Sequence, residues 1–313
     1  MPASDNLPDT LRPYRFHGVQ LEYDGGDEAL ADCPWCGREQ KFSIKVETGQ
    51  WRCWVCSEGS EGGGGNVYTF LNSFYNKSHD QTPTEAYDEL ATNRTSDSET
   101  LIHWGLCKSF TWGDWLVPGY NAEGKLNQLY RYTNYGNESR KRLLIPTPKK
   151  LGHGLHGVNL YDPNCDTVWL CEGPWDAMAL WETLRQAKEG PNGLVRTGNP
   201  ASSYLEGVSV LAQPGIETFN EAWMPLFSGK HVIVAFDNDH PKEHPKQPGV
   251  MLDPAGWTAA KKVVGKLTAL ANPPSEVSVL RWGKLNGGPF GYNVGLPHGM
   301  DVRDFINEAT LEV

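Results

Sequence analysis

The sequence predicts a multidomain chain of α+β and α/β class: an N-terminal four-cysteine ribbon, a small basic α+β subdomain and a C-terminal α/β domain with a mainly parallel sheet. Three observations carry this expectation. Two Cys-x-x-Cys pairs stand sixteen residues apart in CPWCGREQKFSIKVETGQWRCWVC, residues 33–56. Residues 125–150 hold seven Lys and Arg against the single acid Glu138, a local net of +6 in a chain whose formal net charge is −10. Two apolar runs, VWLC and HVIVAF, each lead into carboxylates, and helix-like stretches come after them. On this division residues 1–24 are an N-terminal segment, 25–75 the ribbon, 76–100 a linker with a short helix, 101–163 the basic subdomain and 164–313 the α/β domain.

Composition sets the outer bounds. A length of 313 residues suggests about two domains and a sizeable core, and 39% hydrophobic with 21% charged residues is ordinary for a globular chain. No run of about 18 apolar residues occurs, so no membrane span is expected. The opening MPASDNLPDTLRPYRF lacks the charged and apolar regions of a secretory signal. Of seven cysteines four belong to the paired motif, and Cys107, Cys165 and Cys171 are expected to be reduced, which fits a cytoplasmic compartment. Residues 1–100 carry 8 Lys and Arg against 17 Asp and Glu, a net of −9. That acidity argues against a tight, sequence-blind grip on a duplex and leaves room for transient contact with a nucleic acid. The basic segment is either a local anion site or a solvated loop.

Cys33, Cys36, Cys53 and Cys56 have the spacing of a two-knuckle zinc ribbon. Each Cys-x-x-Cys turn aims two thiolates at one point, and KFSIKV, ETGQ and WRCWVC read as strand, turn and strand. Four thiolates close the tetrahedron, so the zinc is structural. A reduced compartment disfavours two disulfides, and the doubled motif disfavours a redox pair. Trp35, Trp51 and Trp54 either pack a ribbon too small for its own core or stack on unpaired bases. After a glycine run, Val67, Phe70, Leu71 and Phe74 recur at helical spacing.

Downstream, DTVWLCEGPWDAMALWETL reads as a strand ending at Cys171, then Glu172, then a helix from Pro174 whose apolar face holds Ala177, Leu180, Trp181 and Leu184. KHVIVAFDNDH is a second strand, ending in Asp237 and Asp239. Open α/β sheets place ligands at the carboxyl ends of their strands. Three acids there suit Mg²⁺, which prefers oxygen ligands. Residues 240–254, with four prolines and two histidines, interrupt the approach to the helix AGWTAAKKVV as a surface excursion. Asp253-Pro254 looks like that helix's start, with Asp253 as its cap or as a further metal ligand. His240 and His244 are expected as loop residues, and Asp301 and Asp304 either cap and solvate a helix or touch a second metal.

The order Cys-Pro-aromatic-Cys, FSIKV, Cys-x-x-Cys, GGNVYTFL resembles the zinc-binding domain of bacterial and phage DNA primases. Cys36 stands where bacterial members usually have His, as in some phage helicase-primases. Strand-Glu-Gly, strand-Asp-x-Asp and the Ala-Gly helix resemble the Toprim domain of primases, topoisomerases and some nucleases. The segment from about 100 to 163 resembles the basic subdomain ahead of it, with Arg131 near its first basic position and Lys141, Leu143 and Pro146 in step with its second. The resemblance implies a DNA-directed RNA polymerase, a nucleotidyltransferase making short RNA primers from ribonucleoside triphosphates on single-stranded DNA. It implies zinc on the four cysteines and Mg²⁺ or Mn²⁺ on Glu172, Asp237 and Asp239, with Glu172 as ligand or as base. Arg131, Lys141 and Arg142 would hold nucleotide or template. No P-loop motif occurs, which leaves room for a replicative helicase in trans, though nothing in the sequence identifies one. Alternatives are a non-enzymatic Toprim and zinc mediator of recombination and repair, which lacks the basic subdomain, or a Toprim nuclease.

Overall fold

The computed structural model describes residues 7–56, 63–133, 143–148, 151–189, 206–283 and 291–311. It divides into two units, one of residues 1–89, 105–119 and 125–154, the other of residues 90–104, 120–124 and 155–313.

In the first unit the expected ribbon hairpin forms. Helix α1 (Arg12–Phe16) precedes β1 (Glu28–Ala31), β2 (Phe42–Lys45), β3 (Trp51–Cys53) and β4 (Gly64–Gly65), which lie side by side in that order, all antiparallel. The helical spacing after the glycine run becomes α2 (Val67–Gln81), which buries Val67, Phe70, Leu71 and Phe74. Asn66 starts it, its side chain accepting the Tyr68 and Thr69 amides at 2.9 and 3.1 Å, as an N-cap should. Residues 76–100 hold more helix than expected. They include the end of α2, α3 (Thr84–Arg94) and the start of α4 (Ser98–His103). A second sheet runs in the order β5 (Cys107–Lys108), β6 (Trp115–Tyr120), β7 (Leu126–Thr133) and β8 (Leu143–Pro146).

The ribbon is not left without a core. Tyr14, Phe42, Ile44, Trp51, Phe70 and Phe74 join Leu116 and Leu129 of the second sheet in one buried cluster. Trp35 stacks on Trp51 with ring centres 4.9 Å apart, and Tyr14 meets Phe70 at 4.5 Å. His17, fully buried, closes this core. The Thr147 hydroxyl donates to Leu129 O at 2.7 Å, so it must accept from His17 Nε2 at 2.8 Å. His17 Nδ1 is then an unpartnered lone pair. Burial, with the nearby Arg131 charge, lowers its pKa to about 3. The unfolded chain therefore takes up a proton near pH 6.5 that the folded chain refuses, and stability falls as pH drops through that window at up to about 1.4 kcal/mol per pH unit. His17→Gln is expected to be less stable at pH 7 but to lose less between pH 6.5 and 4. Urea titrations of both proteins across that range check it, and parallel pH curves would remove His17 as the cause.

In the second unit β9 (Thr167–Cys171), α5 (Pro174–Glu189), β10 (Val208–Ala212), β11 (His231–Ala235), β14 (Glu276–Val279) and α7 (Val302–Leu311) frame a parallel sheet. Its strand order is β10-β9-β11-β14. Parallel neighbours need crossovers; α5 links β9 to β10 outward on one side, while α6 (Ala255–Thr268) links β11 to β14 on the other. The direction of winding thus reverses between β9 and β11. Cys171 pairs with both Ala212 and Ala235, so the three strands end level and the residues just beyond their ends share one rim. The excursion before α6 forms a separate hairpin, β12 (Lys242–Glu243) with β13 (Met251–Leu252).

One expected cap is corrected. Asp253 makes no capping bond to α6; it is exposed and pairs with Lys261 at 3.3 Å. The first-turn amide of Gly256 instead donates to Asp239 Oδ2 at 2.8 Å, from across the excursion. The carboxylate that serves this helix N-terminus is therefore Asp239 and not Asp253.

Candidate functional site

Each unit holds one candidate site. In the first, two reverse turns present Cys33 and Cys36, and Cys53 and Cys56. The four sulfurs lie within 4.8 Å of one another, the one such group of three or more potential ligands among the described residues. Cys33 and Cys56 are 3.8 Å apart, as are Cys36 and Cys53. Zinc–thiolate bonds of about 2.3 Å in a tetrahedron put sulfurs about 3.8 Å apart, so the residues fit structural zinc without rearrangement. All seven cysteines are free. Burial pushes the Cys33 thiol up to about 11 and Cys56 higher still. Burial also raises Cys53, but the Cys56 and Val55 amides and its neighbouring thiols outweigh it and bring it to about 7. Beside the metal position, Trp54 is 50% exposed, with the Arg52 guanidinium 4.2 Å from its ring centre. With Ser43, Lys45, Gln50 and Trp51 these residues line an open groove of about 790 Å³. The three tryptophans therefore divide: Trp35 and Trp51 pack, while Trp54 faces outward.

Arg131 also lies in this unit, on β7. Two of its guanidinium nitrogens bond Asp114 Oδ2 and a third donates to Phe16 O at 2.8 Å, with the Phe16 ring beneath. Lys141 and Arg142 lie outside the described residues.

The second site stands at the carboxyl rim of the parallel sheet, at the point where its winding reverses, which is where open α/β sheets form a crevice. Glu172 comes just after β9, and Asp237 and Asp239 just after β11. Their charges act on one another, so they are neighbours, although no three of the carboxylates place oxygens within 4.8 Å of one another. Burial and then the Asp239 charge raise Glu172 to about 7. Burial, Glu172 and Asp176 push Asp237 up to about 10. Asp239 is anchored on one oxygen by Gly256, where a side chain has no room: a Cβ would stand 2.7 Å from Asp237 O. Its other oxygen faces His298 Nδ1 at 3.7 Å.

Asp301 joins the cluster and also caps α7, its Oδ1 accepting the Asp304 amide at 2.7 Å. Arg303 binds Asp301 at 2.9 Å and Asp304 at 3.2 Å. The His240 and His244 rings are taken up in loop hydrogen bonds, His240 Nε2 against Asn293 O at 3.1 Å and His244 Nδ1 from the Lys246 amide at 3.1 Å.

Two residues were not expected from the sequence. Asp176, in the first turn of α5, is buried, and burial followed by the Asp301 charge holds its pKa well above the carboxylate range. Its signal was its place in the first turn of α5, four residues after Glu172. Asn238, between the two strand-end aspartates, is fully buried. It accepts the Asn293 amide at 2.8 Å and donates to Asn293 O and Pro297 O at 3.0 Å each, while its backbone pairs with Met300. It ties the Asp-x-Asp turn to the segment that delivers Asp301. Among the described residues, no helix is long and apolar enough to cross a membrane.

No protein-family model matches the sequence, and no curated protein does. Solved structures are similar to it. One is the Aquifex aeolicus primase, zinc-binding and RNA polymerase domains, at 17% identity over 98% of this chain and 82% of that one, TM-score 0.42. Another is the primase fragment of the bacteriophage T7 primase-helicase protein, at 14% over 93% and 97%, TM-score 0.42. A third is the E. coli primase catalytic core, at 14% over 78% and 76%, TM-score 0.46. The chain is thus similar in structure to bacterial and phage DNA primases.

Proposed function

We propose that the chain is a DNA primase, a nucleotidyltransferase that condenses ribonucleoside triphosphates into short RNA primers on single-stranded DNA, with the second unit as its Toprim domain. The observation that carries this reading is the convergence of Glu172, Asp176, Asp237, Asp239 and Asp301 at the reversal point of a parallel sheet. Buried carboxylates that repel one another, and a Glu172 Oε2 without a hydrogen-bond partner, make a donor set that fits Mg²⁺ or Mn²⁺. Glu172, Asp237 and Asp239 would hold the ion, which supplies charge neutralisation to the triphosphate. Asp239 offers the oxygen that Gly256 leaves unbound. Where Glu172 does not ligate the ion, it is the group placed to remove the proton from an attacking 3′-hydroxyl. In the first unit the Trp54 groove gives an unpaired base a stacking face, with Arg52 and Lys45 for its phosphates.

The test is labelled triphosphate with a panel of single-stranded templates and Mg²⁺ or Mn²⁺, read as product length on a gel. Template- and metal-dependent oligonucleotides support the reading. Strand binding without any product would favour a mediator of recombination.

Arg131 belongs to the proposed nucleotide- and template-binding set together with Lys141 and Arg142, and its pairing with Asp114 sharpens the test. Asp114→Asn removes the partner but keeps the cation; Arg131→Ala removes both guanidinium and clamp. If Arg131 engages phosphate, Arg131→Ala is expected to raise the apparent KM for triphosphate or template about tenfold, while Asp114→Asn leaves it near normal. Equal melting losses in both variants with unchanged KM would make Arg131 a structural clamp only.

A further inference from the structure

We propose that Lys77 is a positioning residue of the zinc site, holding from α2 the two peptide units between Cys33 and Cys36; the proposal rests on the ribbon holding zinc. Lys77 Nζ donates to Pro34 O at 2.7 Å and to Trp35 O at 3.2 Å, across more than forty residues of sequence. Those are the two carbonyls inside the first knuckle. Each belongs to a peptide unit whose N–H lies at its other end: Pro34 C=O is bonded to the Trp35 amide, and Trp35 C=O to the Cys36 amide. One ammonium thus grips the acceptor end of both peptide dipoles of the turn that carries Cys33 and Cys36.

Hydrogen bonds in series polarise one another, and a charged donor strengthens the effect. Lys77 makes the Trp35 and Cys36 amides better donors and lowers the field at the sulfur of Cys33, a residue that is almost fully buried. Zinc with four thiolates carries two net negative charges, so a fixed cation next to the knuckle also offsets that excess. The amine is held in place by its own surroundings. Its stem rises from α2, and the ammonium lies 4.6 Å from the Phe110 ring centre. One turn earlier on α2, Ser73 O accepts the Trp35 indole N–H at 3.4 Å, so the same helix fixes the knuckle at two points. Partners beyond the ligand shell orient ligands and tune the metal, and their loss typically costs about 10- to 100-fold in affinity.

The experiment uses the full chain loaded with Zn²⁺, and separately with Co²⁺, as wild type and as Lys77→Met, Lys77→Gln and Lys77→Arg. Zinc transfer to an excess of a coloured chelator is expected to be at least about tenfold faster in Lys77→Met than in wild type. Lys77→Gln, a donor without charge, should fall between, and Lys77→Arg should restore most of the retention. In the Co²⁺ protein the thiolate-to-metal charge-transfer band should move to lower energy in Lys77→Met, because a less stabilised sulfur gives up its electrons more easily. Retained tetrahedral d–d intensity shows that the ribbon is folded; if Lys77→Met fails that check, Lys77→Gln carries the comparison. Equal transfer rates and an unmoved band would overturn the role of Lys77 while zinc binding stands. A wild-type chain that takes up neither metal would overturn both.

Discussion

Asp237→Asn and Asp239→Asn are each expected to lower template-directed synthesis by at least about a hundredfold while leaving the chain folded. Both carboxylates lie just beyond the β11 strand, and Asp239 gives one oxygen to the Gly256 amide of α6, a bond that an asparagine oxygen can also accept. Asp237 works against folding when no cation is bound. Its pKa of about 10, and about 7 for Glu172, lie above the ordinary carboxylate range near 4. Between those limits the folded chain binds more protons than the unfolded chain, so metal-free stability falls as pH rises from about 4 through neutrality. Asp237→Asn removes a carboxylate that must take up a proton on folding. In chelator it should melt above wild type at pH 8, and the gap should close toward pH 4. Added Mg²⁺ should raise the wild-type melting temperature more at pH 8 than at pH 5, and should raise that of Asp237→Asn less. Synthesis assays and thermal melting on the same preparations check both halves. Near-normal synthesis by either variant would place the metal elsewhere.

Cys53→Ser is expected to take zinc content from one per chain to none and to abolish the cooperative melting of the ribbon. A serine hydroxyl offers neither the charge nor the soft sulfur that a four-thiolate site uses. The binding free energy of a structural zinc, about 10 kcal/mol or more in small zinc modules, is folding free energy for the segment that holds it. Phe42, Trp51 and Phe70 share a core with the ribbon strands, so the loss should spread to α2. The parallel sheet of the second unit has its own core of Val168, Leu170, Leu211, Val232 and Val234, and its transition should persist. Metal analysis and calorimetry separate these outcomes. A zinc-free preparation with full template-dependent synthesis would show that the site is dispensable.

Local patterns announced the elements that frame both sites. Doubled Cys-x-x-Cys turns around an alternating strand pair require only neighbours in sequence, and the ribbon hairpin results directly. Continuous apolar runs such as VWLC and HVIVA belong to strands covered on both faces, which marks them as parallel and puts Glu172 and Asp237 at their ends. The features that stayed hidden depend on partners distant in sequence. Nothing near Asp239 reveals that it serves the N-terminus of α6, because fifteen residues separate it from the helix and Asp253 supplies a better local signal. Arg131 reads as a free cation until β6 and β7 bring Asp114 against it. Asp176 reads as an ordinary first-turn acid, favourable to a helix dipole, until α7 delivers Asp301 to the same place. Asn238 carries no charge and so drew no notice, yet its amide holds three bonds to the segment that closes the rim.

The β12–β13 hairpin leaves the sheet at Asp239 and returns at Pro254, with both of its roots already fastened. The Asp239 amide is bonded to Asp237 O at 2.9 Å, and Gly256 is bonded to Asp239. Its β13 strand is exposed, with Met251 60% accessible. For protein engineering this is a grafting port. Its length is decoupled from the carboxylates, and doubling a flexible loop costs only about 0.6 kcal/mol in closure entropy. A dye or affinity handle carried at Met251 would therefore sit on an arm whose base is the acidic rim itself, reporting on that rim without replacing any of the residues that build it.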